Sequence, residues 1–232
     1  MNKKDVLSIL ESIISDPFFN DFVIRKSDNS IICKTEYGYK KIWFWYYNSY
    51  DLKRDALALE IRPNYEIRFN VLHKWIEKYS KRTLADQRDD HSVGFTGHMI
   101  GATDEFYFLE NRKNYNKDLQ ILHSEVVTNA KYVFSRFTTL DDYYDYYIND
   151  VLNGKRELPD QGFEWIPQHL IAAKLVEPSK YELVKEVVLQ RVELMNERNN
   201  PDLERYYNEL PLILKDLEET DFTSGKWGLI PK

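Results

Sequence analysis

Two runs of strict alternation lie close together in the first third of the chain. The odd positions of the first read Tyr37, Tyr39, Lys41, Trp43, Trp45 and Tyr47. Those of the second read Leu57, Leu59, Ile61, Tyr65, Ile67 and Phe69, with Ala58, Glu60, Arg62, Asn64, Glu66 and Arg68 between them. A period of two puts odd and even residues on opposite faces of a pleated strand. The pattern therefore predicts an antiparallel sheet with one face in a core and one wet. The odd face is the one expected inside, with the rings of Trp43 and Trp45 packed in the core. Pro63-Asn64 predicts a turn between the runs, because proline cannot donate to a ladder and the parity of the apolar face is unchanged across it.

Around this pair the chain reads as follows. Val6, Leu7, Leu10, Ile13 and Ile14 sit at helical spacing and predict a helix over 3–15, ended by Pro17. Phe22–Ile24 and Ser30–Cys33 flank a Lys-Ser-Asp-Asn cluster and predict a hairpin. Leu72, Trp75, Ile76 and Tyr79 predict a helix over 71–80, followed by a charged connector over 81–90. Two further strands are expected over 92–100 and 105–109, joined through Gly101-Ala102-Thr103-Asp104.

Everything after Asn116 reads as helix. Leu119, Leu122, Val126, Ala130 and Val133 stripe the first of these helices. Thr139 with Asp142 three residues on predicts a capped start for the next, which runs to about Leu152 ahead of Gly154. Residues 154–162 are the expected hinge of this half. Pro167 and Pro178 suit first turns of helices ending near Leu175 and Met195, the latter with Leu183, Val187, Val188 and Val192 inward. Asn200-Pro201 opens the last helix, which Pro211 should kink. Trp227, between Gly225 and Gly228, is expected to pin the tail to the body.

Strands first and helices after define an α+β fold. The expected architecture is an N-terminal helix and an antiparallel sheet of about six strands with one crossing helix, over 1–112. A helical region over 113–232 is packed on it or hinged to it.

Composition narrows the function classes. The chain has 232 residues, 43% apolar and 30% charged, enough to bury a sizeable core without a metal or disulfide. Its one cysteine, Cys33, ends an apolar run and reads as a small buried hydrophobe. Paired cysteines are lacking, which fits a reducing compartment. No stretch reaches the length of a membrane span, and Asp5 and Glu11 interrupt what could pass for a signal peptide. A cytoplasmic home is expected, with no membrane partner and no cofactor. Net charge is −6 and uneven: residues 1–110 hold 16 Lys+Arg against 17 Asp+Glu, and the remainder has a net of −5. That balance argues against a nonspecific nucleic-acid binder and permits a basic protein partner.

The strongest enzymatic candidates are Asp89, His91, His98 and Asp104, carboxylates and imidazoles near strand ends that could hold a metal or act as acid and base. The spacing argues back. Seven residues apart on one strand, His91 and His98 face opposite ways unless a glycine bulge intervenes, and no zinc-hydrolase or calcium-loop spacing is present; no metal is expected. Gly94, Gly97 and Gly101 match no phosphate-loop motif. The second candidate set is Asp141, Asp142, Tyr143, Asp145 and Tyr146. There the acidic and tyrosine side chains cover more than one helical face, and tyrosine is enriched in interaction hot spots. Tyr143, Tyr144, Tyr147 and Ile148 can equally form a buried stripe. The expectation is a non-catalytic protein-interaction protein whose acidic, Tyr-rich helical half docks a partner, as a bacterial inhibitor or immunity protein would. The alternatives are a metal-assisted hydrolase at the Asp/His set, and a single-strand nucleic-acid binder using the aromatic sheet face.

Overall fold

The structure is a computed structural model that describes residues 3–52, 55–80, 82–100, 107–110, 115–158, 165–196 and 201–231. In chain order its elements are α1 (Lys3–Ile14), β1 (Val23–Arg25), β2 (Ser30–Thr35), β3 (Gly38–Asp51), β4 (Ala56–Phe69), α2 (Asn70–His73), α3 (Leu84–Asp89), β5 (Val93–Thr96) and β6 (Tyr107–Glu110). They continue as α4 (Tyr115–Arg136), α5 (Leu140–Tyr144), α6 (Asp150–Leu152), α7 (Trp165–Val176), α8 (Tyr181–Asn196) and α9 (Pro201–Glu219). The fold is α+β, with an antiparallel sheet of six strands followed by helices. Two compact units share the chain: Met1–Arg68 with Val93–Arg136, and Phe69–Ser92 with Phe137–Lys232.

The sheet of the first unit runs β1-β2-β3-β4-β5, with β6 also on β4. β1 and β2 turn through Asn29 at φ +52°, a left-handed conformation that asparagine tolerates. β4 runs unbroken through Pro63, so the turn expected there is not present. The reason lies in the register: β6 pairs with Ala58–Ile61 and β5 with Asn64–Ile67. Arg62 and Pro63 fall in the gap between those two partners, so the proline interrupts neither of these two ladders.

The core of this unit lies on one side of the sheet. Odd residues of β4 point into it, Leu59, Ile61, Tyr65 and Ile67 all being buried, but Leu57, expected inside, is 72% exposed where the strand begins. In β3, however, the buried apolar residues from Ile42 onward are Ile42 and Phe44, at even positions, whereas Trp45 is 58% and Tyr47 49% exposed; Tyr39, near the start of the strand, is buried as its odd position predicts. The expected inward Trp45 is thus corrected: it faces solvent, and Trp43 is half-buried. Cross-strand bonds explain the switch, since Trp43 Nε1 donates to Glu66 and Tyr47 Oη donates to Glu60. These bonds join the odd face of β3 to the even, polar face of β4. α4 covers the other side: Lys40, an even residue, donates from Nζ to the Phe134 carbonyl at 3.3 Å. The α4 residues Leu122, Val126, Ala130 and Val133 are fully buried, as are Val6, Ile9, Leu10 and Ile13 of α1, which packs on α4.

In the second unit α7 is the central element. Its residues Trp165 to Ala173 are buried on all sides, as expected of a helix apolar around its whole circumference, and it contacts α2, α5, α8 and α9. The helix expected over 71–80 is broken into α2 and a short 3-10 turn at Ile76–Lys78, and the connector after it contains α3, capped by Thr83. α5 begins with the expected capping box of Thr139 and Asp142. A five-residue π-turn at Asp145–Asn149 then carries the chain into α6. Val184, Val188 and Val192 form the inner stripe of α8, and Leu183 points outward at 49% exposure, against expectation. Pro211 lies inside α9. Lys174 Nζ donates to the carbonyls of Leu217 at 2.7 Å and Glu218 at 3.0 Å, satisfying the end of α9. The tail is held by Phe222 against Trp75 and by the Leu140 N–H donating to the Pro231 carbonyl at 3.0 Å. Gly228 has φ +122°, and a Cβ there would lie 3.1 Å from both Asn70 Cβ and Val71 N.

Ile42→Ala is expected to cost about 2–5 kcal/mol of stability. Trp45→Ala, although it removes a larger side chain, should stay within about 0.5 kcal/mol. Urea unfolding of the two variants checks the order, and a greater loss for Trp45→Ala would contradict the assignment of faces.

Candidate functional site

On the wet face of the sheet, Trp43 and Trp45 lie with ring centroids 6.0 Å apart. Below them a charged cluster is held between strands. Lys41 Nζ sits 3.5 Å from carboxylate oxygens of both Asp28 and Glu66, and is buried along with Glu66. Asp28 also accepts from Arg25 and from Ser30 Oγ, the latter at 2.9 Å. Burial alone would raise the Asp28 carboxyl, but hydrogen bonds from Arg25 and Ser30 outweigh it and hold the group below its ordinary value. With its acceptors engaged by cations and an indole, this cluster is built to stiffen the sheet rather than to move protons. What the face leaves for contact is ring surface.

The second unit carries the acid. Its sequence holds 16 Lys+Arg against 23 Asp+Glu, a net of −7, while the first unit has 16 against 15, a net of +1. An open groove of about 590 Å³ runs along α8. Glu182, Glu186 and Glu193 line it with Leu183 and Leu189, positions that recur along one side of the helix. Lys185, the cation in the groove, is tied to Glu218 of α9 and stands 3.9 Å from Glu182. Carboxylates flanking the exposed Leu183 and the half-buried Leu189 form a surface complementary to a basic, amphipathic segment.

The residues singled out in the sequence are distributed as follows. Asp89 is exposed at the end of α3 and His91 is exposed just after it, both in the second unit; His98 is exposed on a turn after β5, in the first. The strand expected to bear both histidines is only Val93–Thr96, so neither lies on it. Asp104 is outside the described residues, as are the Gly101–Asp104 connection and residues 159–162 of the expected hinge. Among the described residues no group of three or more His, Cys, Asp or Glu side chains could hold a metal ion. Cys33 is half-buried, and burial pushes its thiol above the ordinary value, away from nucleophilic use.

Of the acidic and tyrosine set, Asp141 and Asp145 are exposed and Tyr146 is half-buried. The Arg156 guanidinium lies 3.5 Å from the Tyr146 ring centroid. Asp142 closes the cap of α5. Burial opposes its charge, but the N–H and hydroxyl groups of Thr138 and Thr139 donate to it and keep its carboxyl below the ordinary range. Tyr143 is only 1% exposed. It belongs to an internal aromatic box instead.

That box and a second buried pair were not foreseen. Tyr143 Oη and His169 Nδ1 share a 2.9 Å hydrogen bond. The rings of Tyr143, Tyr147 and Trp165 surround the imidazole at centroid distances of 5.8, 6.0 and 5.3 Å. His169 Nε2 is buried and has no hydrogen-bond partner among the described residues. Burial lowers the His169 pKa to about 3. The other pair is His73 Nε2 and Ser92 Oγ, 2.9 Å apart, with Ser92 Oγ also accepting the Phe69 N–H at 3.0 Å. A serine beside a histidine has the makings of a nucleophile, yet both side chains are buried and the hydroxyl is engaged by backbone. The pair secures the end of β4. Helical spacing could have hinted at the first pair, since His169 falls on a helix apolar all round; nothing in the sequence joins His73 to Ser92.

Comparison of the chain with family models, with curated proteins and with solved structures finds no match.

The His169 environment predicts acid sensitivity. The unfolded imidazole titrates near 6.5 and the folded one near 3. Below about pH 6.5 the unfolded chain binds a proton that the folded chain refuses, so stability falls by about 1.4 kcal/mol per pH unit down to about pH 3. Above pH 6.5 this contribution is constant. Urea unfolding of wild type and His169→Gln at pH 7 and pH 5 should give a loss on acidification that is about 2 kcal/mol larger in wild type. Equal losses would refute the account.

Proposed function

We propose that this chain is a non-catalytic, cytoplasmic protein-interaction protein whose acidic helical unit docks a basic partner. The observation that supports this reading is the groove of α8, where three carboxylates border the exposed Leu183 and the half-buried Leu189 in a unit of net charge −7. A partner helix with leucines along one face and lysines or arginines at its margins satisfies both parts of that surface. Apolar contact supplies affinity, and charge supplies rapid, correctly oriented encounter. Asp141 and Asp145 extend the negative field of the unit, and Tyr143, being internal, supports α5 without touching the partner. A nucleic-acid or anionic membrane ligand would meet repulsion at this surface.

The probe is a fluorescein-labelled amphipathic peptide of leucine and lysine at three-and-four spacing, followed by anisotropy. Micromolar binding is expected, on the order of −8 kcal/mol, weakening as salt rises. A peptide of the same charge with its leucines scrambled should bind about tenfold or more weakly, as should a triple Glu182→Lys, Glu186→Lys, Glu193→Lys protein of unchanged Tm. Binding that ignores both the scrambling and the charge reversal would contradict the proposal, and so would no binding.

A further inference from the structure

A separate surface on the other unit leads to an inference independent of the one above. β2 pairs with β3 only as far as Ser30 opposite Trp43, yet β3 continues to Asp51. Among the described residues no other strand joins β3 on that side. The overhanging stretch from Phe44 reads Phe-Trp-Tyr-Tyr-Asn-Ser-Tyr, with no charge, proline or glycine. Those are the devices that ordinarily protect a sheet edge from other strands. Its large side chains are open to solvent: Trp45 at 58%, Tyr47 at 49% and Tyr50 at 50%, with Leu52 at 87% and Leu57 at 72% on the same hairpin. Tyr50 Oη donates to Asp55 and Tyr47 Oη to Glu60, so these rings are fixed in place and lose little freedom on contact.

We infer that this overhang of β3 is a self-pairing edge through which two copies of the chain join their sheets. Backbone at a strand edge is complemented by another extended strand, and a partner strand must itself be uncharged and rich in rings to match these side chains. The overhang has that composition. Antiparallel pairing of the segment with itself is isologous, closing a two-fold dimer with no free end. It keeps the two Asp51 carboxylates at opposite ends of the joint, with no like charges opposed between them. Within the paired segment Trp45, Tyr47 and Tyr50 offer on the order of 400 Å² per copy, about half of the roughly 800 Å² per partner of a standard interface, which suits a dimer that dissociates on dilution.

Sedimentation of the full chain from about 1 to about 300 µM tests the inference, because a dimer of this kind is governed by mass action. A reversible dimer is expected, dissociating at least about tenfold more readily with Trp45→Lys or Tyr47→Lys at unchanged Tm. On the wild-type chain, which needs no substitution, amide exchange over Phe44–Asp51 should slow in the concentrated sample. A monomer over the whole range would overturn the inference, as would a dimer indifferent to both substitutions or exchange protection confined elsewhere. Binding of a labelled single-stranded oligonucleotide to the hairpin of a monomeric chain would overturn it too, assigning the rings to base stacking. The peptide titration on α8 reads a different unit, so either result stands without the other.

Discussion

A sheet covered by helices on one side has a single dry face, and two neighbouring strands must agree on which of their residues enter it. In this chain the agreement pairs odd residues of β4 with even residues of β3 from Ile42 onward, and α4 supplies the cover. Everything unusual about the first unit follows from that choice. Trp43, Trp45 and Tyr47 are turned away from the core, and the carboxylates of Glu60 and Glu66 are within reach of their polar atoms. The rings lie over a lysine and two carboxylates that would otherwise meet water. A buried charge cluster on a nominally wet face is tolerable because each member has an opposite charge or a donor beside it.

The second unit solves a different problem. Its central helix is apolar all round and needs neighbours on every side, which α2, α5, α8 and α9 provide. His169 is enclosed in the process and kept neutral by rings that offer it one hydroxyl. With so much apolar surface turned inward, the acidic residues of this unit are left for its exterior, and α8 presents them together with leucines that the interior did not take.

How far the fold was legible depended on whether one element or two had to be read. Periodicity within one element was mostly reliable: the buried stripe of α4, the capping box at Thr139 and the odd face of β4 from Leu59 on follow from local pattern, whereas Leu57 at the strand's start is exposed. Relations between elements were not. The odd face of β3 looked like the continuation of the odd face of β4, because the side-chain period says nothing about how two strands are registered across a hairpin. Pro63 looked like a turn because the sequence does not show that β5 and β6 share one edge of β4 and leave a gap between them. Even within one element, the valine-rich α8 permits a one-residue rotation of its stripe, with Leu183 expected inward where Val184 is buried. At the candidate sites the same limit applied. Asp89, His91 and His98 are near in sequence but divided between units, and Tyr143 with His169, distant in sequence, share a hydrogen bond.

The orientation of β3 is the claim on which the rest turns, and the accessibility of one indole tests it most directly. In dilute protein, acrylamide quenching of tryptophan emission should fall when Trp45 is replaced by phenylalanine, because the most exposed large ring on the sheet has been removed. Replacing Trp75, which is fully buried, should leave quenching equal or higher. Unchanged or increased quenching in Trp45→Phe would place that ring inside and reverse the two faces of the sheet.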